Sequence, residues 1–152
     1  MESEFESLNL DSIEVANAIR SLAKEESVDL NMTKIHKLLY VSYGLFLAKY
    51  SKRLTKEFPH IWPFGPVFPR VHSNVSLDDE IKPINKDVFS EDVLDIIRLV
   101  LRTFGKYSAS KLSAWSHLPD SPWDKTVKES DGKWNIPMKD SYIKEYFSVF
   151  VK

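Results

Sequence analysis

Apolar residues recur at three- and four-residue steps in four stretches of this chain, and each stretch begins at a residue suited to cap a helix. The first stripe is Ile13, Ala16, Ile19 and Leu22, preceded by Asp11 in capping-box spacing with Glu14. It predicts a helix to about Glu26. The second and longest runs through Ile35, Leu38, Leu39, Ser42, Leu45, Phe46 and Lys49, with Asn31 as cap and an end near Tyr50. Gly44 inside it weakens the helix by about 1 kcal/mol unless a neighbour needs the space. The third, Val93, Ile96, Ile97, Val100, Leu101 and Phe104, lies between Ser90 and Gly105; Glu91 and Asp92 suit its N-terminal dipole. The fourth is Ile143, Tyr146, Phe147, Phe150 and Val151, with Asp140 expected as the cap.

Shorter signals fill the gaps. Ser108 starts a short helix through Trp115, and Ser121-Pro122 starts another, with proline at its first position. Arg70 to Val75 fits a single helical turn. Leu54 to Ile61 reads as one strand of a small hairpin, and Lys133 to Met138 as a short strand. Residues 76–89 are an acidic loop broken by Pro83, and residues 1–10 are expected to be a mobile acidic arm before a single domain over 11–152. The fold expected is mainly α, compact, with about six helices and room for one small β-hairpin.

Between the second and third long helices stands Trp62-Pro63-Phe64-Gly65-Pro66-Val67. Prolines at 59, 63, 66 and 69 remove backbone donors and bias the residues before them away from helix. Gly65 can take the positive φ that a tight turn requires. The segment is stiff, and it carries Trp62, Phe64 and Phe68 in fixed directions. A second stiff segment, Ser116 to Pro122, is bracketed by Trp115 and Trp123. Large aromatics usually fill cores, and a core role is expected for Trp123. Placed side by side, the two segments would instead offer a partner-binding patch of Trp62, Phe64, Phe68, Arg70 and His117, since aromatic anchors on stiff loops bind at low entropic cost.

Composition narrows the chemistry. The chain has 152 residues, no cysteine and a net charge of −1. That excludes disulfides and thiol chemistry, and it leaves no overall basic footprint for nucleic acid. Lys34, His36, Lys37, Lys49, Lys52, Arg53 and Lys56 cluster in sequence, and the cluster reads as the solvated face of the second helix. None of the four histidines pairs at a metal-ligand spacing, and no phosphate-binding glycine loop or nucleophile motif occurs. No cofactor, metal or catalytic residue is expected, and neither is membrane association or DNA binding by the isolated domain. The absence of a signal peptide pattern points to the cytoplasm.

Met32 to Tyr40, then Trp62 to Val67, Ser108 to Ser113, Ser116-His117, Ser121-Pro122-Trp123 and the tail from Ile136 to Phe147 follow one another in an order that resembles the Panacea domain, the SocA-like antitoxin family. The resemblance covers about residues 13–150. It implies a small, mainly helical protein of bacteria, phages or mobile elements, encoded beside a toxin that it neutralises by direct protein–protein binding. Related domains are paired with toxins of unrelated kinds, so the toxin is not read from this chain, and neither is homo-oligomerisation. His36 stands where many relatives carry glutamine. Three rival readings remain at this point: an adaptor that delivers a toxin to a protease, using the acidic arm, a DNA-binding regulator using the lysine cluster, and an enzyme.

Overall fold

The long helix over Met32–Tyr50 is the hub around which the other elements pack. In the computed structural model, which describes residues 4–151, this helix (α2) begins at Asn31, whose side chain accepts the Lys34 N–H at 2.8 Å. Its middle, Leu38 to Leu47, is apolar on every side apart from Ser42. A helix apolar all round is a buried one, and every residue from Lys34 to Leu47 is buried.

Before it comes α1 (Ser12–Glu25), with Asp11 as cap. After the hub come α3 (Pro69–Asn74), α4 (Glu91–Phe104), α5 (Ala109–Ser116), α6 (Pro122–Glu129) and α7 (Asp140–Phe147), followed by a 3₁₀ turn over Ser148–Phe150. α1, α4, α5 and α7 all pack on α2. Gly44 is where α7 closes on the hub: a β-carbon there would collide with the buried Phe147 ring. The expected cost to the helix is thus offset by close packing.

Two small sheets accompany the helices. Strand β1 (Glu6–Leu10) pairs in parallel with β2 (Lys52–Thr55), with a register irregularity between Ser7 and Leu10. This corrects the expected arm: Glu6–Leu10 is held in a sheet, Leu10 is buried, and only residues 1–3 of that segment lie outside the described residues. Its acidic residues hid the alternation that points Leu10 inward. Strands β3 (His60–Trp62) and β4 (Gly65–Val67) form an antiparallel hairpin, so the hairpin turns at Pro63-Phe64 within the proline-rich run. Lys133 to Met138 is not a full strand. It runs beside β3, where the Ile61 N–H donates to Ile136 O at 2.9 Å and the Asn135 N–H to Ile61 O at 2.9 Å.

Two further expectations are corrected. Asp140 does not cap α7; Lys139 holds that position, and Asp140 is buried one residue inside, accepting from the Tyr43 hydroxyl with Arg53 at 3.8 Å. The basic cluster is not one solvated face either. Lys34, His36 and Lys37 are buried, while Lys49, Lys52 and Lys56 are exposed.

Candidate functional site

The elements that carried the resemblance meet at the hairpin. Beneath it, the first turns of α2 supply two polar contacts to β4 and the residue after it. Lys37 Nζ donates to Pro66 O at 3.0 Å, and the Phe68 N–H donates to His36 Nδ1 at 3.3 Å. Proline offers only its carbonyl to a partner, and Lys37 takes it. Burial pulls the Lys37 ammonium down to about 8 and the His36 imidazole down to about 4, the latter with a smaller push from neighbouring Lys37. With Nδ1 accepting, neutral His36 carries its proton on Nε2, a buried atom without a hydrogen-bond partner among the described residues.

Gly65 is the tightest point. Its φ is +122°, open to glycine and strained for other residues, and a β-carbon would stand 2.5 Å from Ser116 Oγ and 3.1 Å from Lys37 Nζ. α2 below and α5 beside it therefore clamp one backbone position.

The second stiff segment lies against the first. Trp123 Nε1–H donates to Trp62 O at 2.9 Å, and Ser113 Oγ–H donates to Phe64 O at 2.7 Å. Trp62 Nε1–H donates in turn to the Asn135 side-chain oxygen at 3.0 Å. A chain of rings runs across this face: His117 on Trp123 with centroids 5.3 Å apart, and Trp123 on Trp134 at 6.1 Å. On the other side of Trp62, His72 packs edge-on at 4.7 Å.

The five residues expected at a partner patch divide sharply. Phe64, at the hairpin tip, is 77% exposed. Trp62 is partly buried, with its indole N–H engaged. His117 is partly exposed and lines a shallow depression with Phe64, Thr33 and the Ala109–Ala114 face of α5. Its Nδ1 is buried without a hydrogen-bond partner among the described residues. Phe68 is a correction: it is fully buried, edge-on to Tyr43 at 5.9 Å, because the strand turns it toward α2. No partner reaches it in this fold. Arg70 is half exposed but tied down, donating through Nε and Nη2 to the Asp11 carboxylate at 3.0 and 2.8 Å with Glu57 at 3.3 Å. That guanidinium holds the Asp11 carboxyl below its usual range. Trp123 is buried, as expected of a core anchor.

Sequence reasoning missed Trp134 and Leu118, each 47% exposed on or next to this face, and the roles of Lys37 and His36 beneath it. The signal for the last two was the apolar run Leu38 to Leu47: a helix with no polar face downstream had no solvated face to continue upstream. Nothing in the sequence marked Trp134 as exposed.

Among the described residues, no three His, Cys, Asp or Glu side chains gather as a metal site would need, and no helix is long and apolar enough to cross a membrane. No solved structure matches the chain. The Antitoxin SocA of Caulobacter vibrioides is 33% identical over 131 residues, covering 76% of this chain and 70% of that protein. The family model described as Antitoxin SocA-like, Panacea domain, matches residues 35–124, from the hub helix through the first turn of α6. This chain belongs to the SocA-like Panacea antitoxin family.

Proposed function

We propose that this protein is a non-enzymatic antitoxin of the cytoplasm that holds its cognate toxin by direct protein–protein contact and so neutralises it. The contact face is the hairpin tip with the ring-lined surface beside it: Phe64, Trp62, His117, Leu118 and Trp134. The observation that carries this reading is Phe64. A phenylalanine 77% exposed on a backbone clamped from two sides costs little entropy to immobilise further, and interfaces draw most of their energy from a few such anchors. Membership of an antitoxin family supplies the class of partner.

The experiment is co-expression with the product of the adjacent gene, followed by co-purification. The expected result is restored growth and a stable complex, which Phe64→Ala and Trp134→Ala weaken by about 2 kcal/mol each without changing the melting temperature. A toxic neighbour that neither binds nor is relieved overturns the reading. Purified protein should also inhibit purified toxin with no protease present. Toxin loss that requires a protease, with no inhibition in the purified pair, would replace blocking by delivery. A sequence-specific gel shift by the protein alone would point to the regulator instead.

A further inference from the structure

A second recess, sharing no residue with the hairpin face, lies where the segment 76–89, without helix or strand, crosses α1. Side-chain contacts strap that segment down. Arg20 Nη2 donates to the carbonyls of Leu77 and Asp79 at 3.0 and 2.9 Å, and the Asn17 amide exchanges two hydrogen bonds with the Lys82 backbone at 3.0 Å. The strap leaves a cleft of about 550 Å³ between itself, the first turns of α1 and the end of α3. Small-molecule sites run from about 300 to 1,000 Å³, so the cleft has the size of one. Its apolar wall is Ile13, Val75, Ile84, Val88 and the buried ring of Phe89.

Several polar groups of the wall are unspent. Asn17 uses both ends of its amide on Lys82. Asn74 donates to Arg70 O at 2.8 Å, which leaves its side-chain oxygen as an acceptor; Asn85 accepts the Asp87 N–H at 2.9 Å, which leaves its side-chain NH₂ as a donor. Arg20 is only 7% exposed. Both hydrogens of its Nη2 go to the strap, whereas Nε and Nη1 find no acceptor among the described residues. A buried donor without a partner costs free energy until an acceptor reaches it. The charged side chains of the wall nearly cancel, Glu14, Asp79 and Glu80 standing against Arg20 and Lys82. No single sign therefore selects the occupant, and recognition falls to hydrogen bonding and apolar contact. We propose that this cleft binds a neutral small molecule with an apolar body and a carbonyl or carboxamide head. The oxygen of the head accepts from Arg20 and Asn85, an amide N–H on it donates to Asn74, and the body lies on Ile84, Val88 and Phe89.

The test titrates the full-length protein with prodan, a neutral fluorescent naphthalene that carries one ketone, and reads the blue shift of its emission. Dimethylaminonaphthalene, the same body without the ketone, is the control, measured as a competitor. The expected result is saturable single-site binding at least about tenfold tighter than that of the control. Ile84→Trp and Val88→Trp fill the cleft and should each weaken prodan at least about tenfold. Both are checked for an unchanged melt, so that one variant stands if the other fails to fold. Asn85→Asp keeps the oxygen that holds the Asp87 N–H but removes the donor; it should weaken prodan about fivefold and leave the control unchanged. Phe64→Ala with Trp134→Ala should alter nothing, which separates the cleft from the apolar hairpin face. Absence of saturable binding, equal affinity for the control, binding indifferent to both filled variants, or binding lost with the hairpin-face variants overturns the proposal.

Discussion

Phe64 and Phe68 sit four residues apart on one proline-rich segment, and their fates are opposite. Phe64 stands at the tip, 77% exposed, with only its backbone carbonyl held by Ser113; Phe68 is fully buried against Tyr43. Tip and stem of one hairpin thus separate two jobs. The stem is core, locked by Lys37, His36 and Ser116, and the tip is surface held rigid by that lock. A stiff segment is not uniformly a binding segment, and the residue type alone does not say which side of the turn it serves.

The largest test of this division is Phe68→Ala. Removing a buried ring should cost about 3–5 kcal/mol, read as a large fall in the urea or thermal midpoint, with toxin affinity lost only through unfolding. A folded Phe68→Ala that fails to bind would collapse the distinction. The stem should also be acid-sensitive. Histidine in an unfolded chain titrates near 6.5, whereas His36 in the fold titrates at about 4. Between those values the unfolded state binds a proton that the native state refuses, so stability rises with pH across the window. It is lost as pH falls from about 6.5 to 4, by at most about 3 kcal/mol. Denaturation midpoints measured across that range should show the slope, and His36→Gln, whose side-chain oxygen can still accept from the Phe68 N–H, should flatten it.

Gly65→Ala comes next. The positive φ and the closeness of Ser116 Oγ predict a loss of about 2 kcal/mol, and Ser116→Ala in the same chain should recover part of it. The smallest expected effect on folding is that of Phe64→Ala, within about 0.5 kcal/mol. A Phe64→Ala protein that melts early would show the tip to be structural after all.

Much of this architecture was legible because caps and apolar periods agreed. Asn31, Ser90, Ser108 and Ser121 cap where expected, and α4 shows its stripe cleanly because its opposite face is solvated. Several of the failures share one cause. Polar residues were given local roles, a solvated face for Lys34 and Lys37 and a cap for Asp140, yet Lys34 Nζ is buried on Gly105 O at 2.7 Å, Lys37 on Pro66 O, and Asp140 on Tyr43. Each is matched to a partner 29 or more residues away, and no local pattern encodes such a match. The same distance effect concealed β1, whose pairing strand lies beyond two helices. At the candidate face, Phe64 could be read from its place in the turn, but the burial of Phe68 depends on α2 beneath it.

The fit of Phe147 against Gly44 has a consequence for how the protein is made. The hub helix leaves the ribosome well before α7, and the ring that seals its middle lies about a hundred residues later in the chain. Until residue 147 has been synthesised, the centre of α2 keeps an open apolar flank, and the nascent chain presents chaperones and proteases with an unfinished core. A chain that stops before α7 therefore leaves the Gly44 flank of the hub uncovered.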